Sequence, residues 1–170
     1  DIILELIDRD IIAIILGGSQ DLSRGVFLAL EKKEGLHQVL TIDSMLDFSL
    51  RDDLLSSRNY LNHIVNATGL RQFSVTNLGH QAYFVTENQL QQLEKSYLES
   101  IRLGEARKEL RQAEPLIRDS RFISIDMGAV RHADAPGASL PSPNGFFGDE
   151  LCQLTRYAGL SEHTNILGFF

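Results

Sequence analysis

Three short polar clusters stand at the ends of apolar runs in this chain: Gly17-Gly18-Ser19-Gln20-Asp21, Asp43-Ser44-Met45-Leu46-Asp47 and Ser124-Ile125-Asp126-Met127-Gly128. Asp43, Asp47 and Asp126 supply carboxylate oxygens, which suit hard divalent cations such as manganese or magnesium. Carboxylates gathered without a cation raise one another's pKa, so a metal is the simplest neutraliser. Taken singly, an Asp after a strand also serves as a helix cap or turn former. The combination and order of the clusters are what point to a shared site. A histidine near such a cleft titrates close to neutrality and is a candidate acid or base. His80 follows a strand end at Gly79 and can reach the cleft. His37, His63 and His163 are expected to be solvated or capping, and His132 to bond locally near Asp134.

The elements that must position these clusters follow from periodicity. Ile2 to Ile7 has the look of the last turns of a helix. Ile11 to Leu16 is a continuous apolar run ended by Gly17-Gly18, the pattern of a strand buried on both faces. Leu22, Val26, Ala29 and Leu30 then mark one face of a helix, with Gly35 just past its end. A second strand, Val39 to Ile42, ends at Asp43. Strand, helix and strand with short connections favour a right-handed crossover and a parallel sheet. A polar loop is expected from Asp47 to Arg58, a helix from Asn59 to Asn66, and a third strand from Phe73 to Leu78. Thr86 with Gln89 forms a capping-box pattern. It opens a helix bearing Leu90, Leu93, Tyr97 and Ile101; helicity resumes from Leu103 to Ala113 and weakens at Pro115. A fourth strand spans Phe122 to Ile125, followed by a Pro- and Gly-rich loop from Ala133 to Gly148. A helix from Asp149 to Ala158 and a strand from Ile166 to Phe170 close the series. Cys152, beside Leu151 and Leu154, is expected as a small buried hydrophobe of that helix. In open parallel sheets ligands bind outside the carboxyl ends of the strands, where the three clusters lie.

The order of the clusters resembles that of the arginase (ureohydrolase) superfamily: Gly-Gly-Asp-His, then Asp-Ala-His-x-Asp, then Ser-x-Asp-x-Asp. The stretch Ser124 to Val130, followed by Ala135-Pro136-Gly137 and Pro141, is most similar to the formimidoylglutamase branch. Ser56-Ser57-Arg58-Asn59-Tyr60 stands where that branch carries a substrate-side Ser-Ser-Gly-Thr-Pro loop. The resemblance implies a three-layer, doubly wound α/β fold with a parallel sheet. Residues 1–170 would form one partial domain of it, cut short at both ends. An acidic substrate contact of the family would fall just after Phe170.

The same resemblance implies a dinuclear manganese site with six ligand positions: Gln20, Asp43, Met45, Asp47, Asp126 and Gly128. Three carboxylates match. Gln20 stands where a His ligand is expected and could offer a carbonyl oxygen, while Met45 and Gly128 replace the second His and the last Asp. A thioether is a poor manganese ligand and glycine has no side chain, so the set supports one manganese site at most. Substrate contacts are expected at Asn59 and His80, and no catalytic residue is assigned. The activity implied is hydrolysis of a linear C–N bond in an amidine or guanidino substrate by a metal-activated hydroxide. The eroded centre weakens that expectation, and the isolated chain is expected to be inactive. The rival reading is a non-catalytic arginase-fold protein kept for binding or assembly. A nucleotide-binding reading fails on spacing, because Gly17-Gly18-Ser19 lacks the G-x-G-x-x-G pattern.

Composition narrows the partners. A net charge of -7 with no basic stripe argues against a nucleic-acid surface. The single cysteine permits no intrachain disulfide, which fits a reducing, cytoplasmic compartment. No signal-peptide pattern opens the chain, and no apolar run approaches the roughly 20 residues of a membrane span. The run at Phe169-Phe170 stops within a strand-like pattern, and an unpaired strand edge is adhesive, so a homo-oligomer is expected.

Overall fold

Strands that are apolar at successive positions, rather than at alternate ones, need a sheet covered on both faces. The computed structural model, which describes residues 2–48, 54–68, 72–96 and 98–170, has that arrangement. Its strands are β1 (Ala13–Leu16), β2 (His37–Ile42), β3 (Phe73–His80), β4 (Glu99–Arg102), β5 (Phe122–Ile125) and β6 (Ile166–Phe169). They form one sheet in the order β1-β6-β5-β2-β3-β4, and every pairing is parallel. Helices α1 (Ile2–Asp8), α2 (Ser23–Leu30), α3 (Tyr60–Thr68) and α4 (Glu87–Lys95) pack on one face. Helices α5 (Leu103–Lys108), α6 (Ala113–Asp119) and α7 (Gly148–Gly159) pack on the other. The fold is thus the three-layer α/β arrangement that the sequence implies.

Alternation along the central strands divides the core in two. Val39 and Phe122 face α1 to α4, while Leu40 and Ile123 face α5 to α7, and all four are fully buried. On the first face the Phe27 ring meets Phe73 and Phe122 edge-on, at centroid distances of 5.0 and 6.0 Å. Thr86 and Gln89 cap α4 as their spacing predicts, each side chain meeting the other's backbone N–H. Among the described residues no helix is long and apolar enough to cross a membrane.

Several local expectations are corrected. The run from Ile11 to Leu16 is not buried on both faces. Only Ala13 to Leu16 are in the strand, and Ile14 and Leu16 are 63% and 76% exposed. The cause is position: β1 is an edge strand, and the layer of α5 to α7 does not extend over its outer face. The strand ending at Phe169 is not an edge, since β6 pairs with both β1 and β5. Helical spacing through Ile101 fails because α4 ends at Lys95 and Glu99–Arg102 pairs with β3. Tyr97 lies outside the described residues. Helicity does not weaken at Pro115, which sits in the first turn of α6, where a helix N–H has no intrahelical partner to lose. Cys152 is exposed, because the buried stripe of α7 is Leu151, Leu154 and Ala158 and Cys152 lies about 100° round from Leu151. His37 is buried rather than solvated, held between the Lys33 carbonyl at 3.3 Å and the Arg121 guanidinium at 3.4 Å.

The burial pattern makes a stability prediction. Leu30→Ala, at a fully buried position of α2, should cost about 2–5 kcal/mol in urea unfolding. Ile14→Thr, on the open face of β1, should change stability by no more than about 0.5 kcal/mol. Equal losses at the two positions would contradict the open face assigned to β1.

Candidate metal centre

The connection after β2 runs to α3 on one face of the sheet, and the connection after β5 runs to α7 on the other. A crevice opens where neighbouring parallel strands send their chains to opposite faces. Ile42 and Ile125 are in register across β2 and β5, so the next residues, Asp43 and Asp126, stand side by side at that point. The Asp126 N–H donates to the Ile42 carbonyl at 3.0 Å, and the Asp43 N–H to the Leu78 carbonyl at 3.1 Å. Past β1, Gly17 and Gly18 adopt φ of +85° and +81°, which only glycine takes without strain. They turn the chain so that a single 3₁₀ turn buries Gln20 against the same crevice. Asp47 itself has φ of +47°, in the left-handed region that Asp tolerates better than most residues.

The polar atoms then sort into fixed and converging ones. Asp43 Oδ1 accepts from the Met45 N–H at 2.8 Å, and Asp126 Oδ1 from the Gly128 N–H at 2.6 Å. Asp43 Oδ2 and Asp47 Oδ2 lie 2.8 and 2.9 Å from one end of the Gln20 amide, whose other end is 3.1 Å from Ser124 Oγ. With its nitrogen toward the carboxylates, Gln20 donates to both and accepts from Ser124. With its oxygen toward them, three oxygens meet at spacings close to the roughly 3 Å edge of an octahedron of 2.1 Å metal–oxygen bonds. That second orientation needs a proton or a cation among the oxygens. Ser124 Oγ is also 3.1 Å from Ser23 Oγ. From α3 the fully buried Tyr60 faces the same group, and its hydroxyl makes no hydrogen bond of full geometry.

The ligand positions suggested by the sequence do not all share one place. Gln20, Asp43 and Asp47 are brought together. Asp126 is beside them but turned onto the Gly128 N–H, and among the described residues no three Asp, Glu, His or Cys side chains form a group able to hold a metal. At position 128 a Cβ would lie 2.9 Å from Asp126 Oδ1, so no side chain fits there as the loop stands. Met45 contributes its carbonyl to Asn77 Nδ2 at 2.7 Å. Asn59 spends its amide on its own loop, accepting from the Ser56 N–H at 2.8 Å and donating to the Leu54 carbonyl at 3.0 Å. It shapes the loop before α3. His80 ends β3, one strand beyond Asp43, and is buried. Tyr60 and Ser23 belong to the site without having been singled out. Their one signal is a polar group on the inward stripe of α3 and at the start of α2.

Burial dominates the electrostatics. It pushes Asp43 up from 3.8 to about 7, with the charge of Asp126 adding to the rise and the contacts from Asp47, Met45 and Gln20 opposing it. Asp47 is raised well above the ordinary carboxylate range, first by burial and then by Asp43. Asp126 is raised by burial, against the Gly128 N–H. The Tyr60 phenol is held neutral by burial and by the three carboxylates. The folded pKa of Asp43 exceeds its unfolded value, so the folded state binds more protons between pH 4 and 7, and stability falls as pH rises through that window. In chelator, thermal stability should therefore decline from pH 4.5 to 8. Asp43→Asn should make the decline shallower, and an unchanged slope in that variant would refute the assignment.

Comparison with known proteins agrees with this fold. The chain matches the Arginase family over residues 2–169. It is 24% identical over 173 residues to the formimidoylglutamase of Bacillus subtilis (strain 168), covering 94% of this chain and 52% of that protein. The structure of the Bacillus subtilis enzyme shares the fold with a TM-score of 0.85 at 17% identity, over 99% of this chain and 56% of that one. Trypanosoma cruzi formiminoglutamase with Mn2+ gives a TM-score of 0.86 at 21% identity, over 98% of this chain and 59% of that one. Arginase from Bacillus caldovelox gives 0.81 at 16% identity, over 99% and 63%. The chain thus spans somewhat more than half the length of these relatives. Over nearly all of its own length, this chain belongs to the arginase family.

Proposed function

We propose that this protein is a formimidoylglutamase-like hydrolase of linear C–N bonds in amidine or guanidino substrates. In this reading it works with one hard cation held by Asp43, Asp47 and the carbonyl oxygen of Gln20. Asp126 completes the set by turning toward them, since as the side chains stand no three carboxylates among the described residues are grouped around one point. The observation that carries the proposal is the convergence of Asp43 Oδ2 and Asp47 Oδ2 on the Gln20 amide at 2.8 and 2.9 Å. The similarity to formimidoylglutamases, one of them solved with Mn2+, makes manganese the ion of choice. A second ion finds no ligands at Met45 and Gly128.

A bound cation supplies acidified water at neutral pH. The chain's own groups prepare the place. Gln20 turns its amide between two orientations, and Ser124 Oγ can donate to or accept from whichever end faces it. Asp126 keeps Oδ1 on the Gly128 N–H and leaves Oδ2 for the crevice. Tyr60 closes the floor with an uncharged hydroxyl, able to bond whatever oxygen occupies the site.

Calorimetric titration of the chelator-stripped protein with Mn2+ should give about one equivalent, abolished by Asp126→Ala. Gln20→His should bind more tightly, because imidazole is a stronger donor than an amide oxygen. With Mn2+, a form of the protein as long as its relatives should release glutamate from formimidoylglutamate, whereas residues 1–170 alone should not. No binding above the Asp126→Ala control would return the three carboxylates to a structural role and favour a non-catalytic arginase-fold protein.

A further inference from the structure

A cavity of about 230 Å³ lies at the carboxyl ends of β3 and β4, lined by His80, Gln81, Tyr83, Arg102, Leu103 and Asn144 among others. That volume is below the roughly 300–1,000 Å³ of drug-sized pockets, so it suits a small acid or the tail of a longer molecule. No Asp or Glu lines it. His80 is 4% exposed and its Nδ1 has no hydrogen-bond partner. A buried nitrogen left in that state is unfavourable, and a ligand atom would relieve it. Arg102 is exposed, and no ion pair neutralises its guanidinium among the described residues. Of the two acids three residues away, Glu105 is engaged by Lys108 at 2.8 Å, and Glu99 forms no ion pair among the described residues. Arg102 acts on Glu105 only as a neighbouring charge, so its donors stay open to the cavity.

The wall opposite Arg102 is built rather than loose. The Tyr83 hydroxyl donates to the Gln81 side-chain Oε1 and lies 3.0 Å from Ser142 Oγ, and Gln81 Nε2 donates to the Asn144 backbone carbonyl at 3.2 Å. The Gln81 N–H is tied to the Ser44 carbonyl at 2.9 Å, next to Asp43. Burial and the Arg102 charge both lower the His80 pKa, so the imidazole is neutral at pH 7 and presents one N–H and one bare nitrogen. A guanidinium with a neutral N–H donor beside it matches the planar, singly charged carboxylate group. Strand β4 lies two strands from β2, which at about 4.8 Å per strand puts the cavity roughly 10 Å from the Asp43 crevice along the same rim.

We propose that the cavity between His80, Arg102 and Asn144 is a carboxylate-binding site. On the hydrolase reading above, on which this assignment of the ligand rests, the carboxylate is the acidic tail of the linear substrate, held about two strands from the reacting end. Position along the rim then gives substrate choice, because only a molecule with a charged tail at that separation engages both places.

Glutarate, a five-carbon diacid, and its neutral counterpart glutaramide are the probes, titrated into the protein by calorimetry. The His80 imidazole is followed by NMR in the same samples. Glutarate is expected to bind and shift the His80 signals, glutaramide to do neither, and Arg102→Gln to weaken glutarate at least tenfold. Arg102 is exposed, so its substitution leaves the core intact, and Arg102→Lys should recover part of the loss. Asp43→Asn should leave glutarate binding unchanged. Equal binding of glutarate and glutaramide, or undiminished binding by Arg102→Gln, would overturn the site. Glutarate binding as expected without any turnover of formimidoylglutamate would uphold the carboxylate site and sink the hydrolase reading instead.

Discussion

Two carboxyl groups, Asp43 and Asp47, are 3% and 5% exposed and face one another through a single amide. Burying one unpaired carboxylate is costly, and burying two in contact is feasible only if a proton or a cation lies between them. Much of the local architecture follows from that constraint. Gln20 must be buried to meet both oxygens, which requires the two left-handed glycines after β1. Asp47 must bend back toward Asp43, which requires its own positive φ. Such strain persists only where the surroundings over-determine it, and it is concentrated at functional sites.

The sheet supplies those surroundings unequally. Strands β2, β3 and β5, which carry the polar ends of interest, are covered on both faces and in mutual register. Rigid strand ends position side chains more narrowly than free loops do. Strand β1 has one bare face, and its contribution to the site is made through the turn after it, where Gln20 is held by Ser124 and the carboxylates rather than by strand packing. The site therefore joins a stiff half to a half fixed mainly by polar contacts.

Much of this could be read from residue types and spacing. The central strands were legible because β2 and β5 are apolar at successive positions, and the three polar clusters do lie at one rim. Periodicity was a poor guide where neighbours decide the outcome. Glu99 to Arg102 carries Ile101 at helical spacing from Leu93 and Leu90, yet the open flank of β3 offers it a ladder of backbone partners. Ile14 and Leu16 look like core residues because nothing in a sequence states how far an opposite layer of helices extends. Within the site, the carboxylates could be identified from their order, whereas the Tyr60 hydroxyl could not. Its role depends on how α3 packs beside α2 above Ser124.

On the proposed one-ion reading, the residues at positions 126 and 128 act together. With glycine at position 128, the loop N–H closes to 2.6 Å from Asp126 Oδ1. A Cβ at that position would stand 2.9 Å from the same oxygen. In that reading, glycine at 128 offers no ligand to a second ion, and its N–H fixes half of the neighbouring carboxylate. Both effects bias the centre the same way, toward the Asp43, Asp47 and Gln20 side of the crevice and away from Met45 and Gly128. A centre narrowed in this way can position a substrate less firmly at its reacting end. More of the orientation must then come from contacts elsewhere on the molecule. On the proposed carboxylate site, the Arg102 guanidinium, on the same rim and two strands away, supplies such a contact.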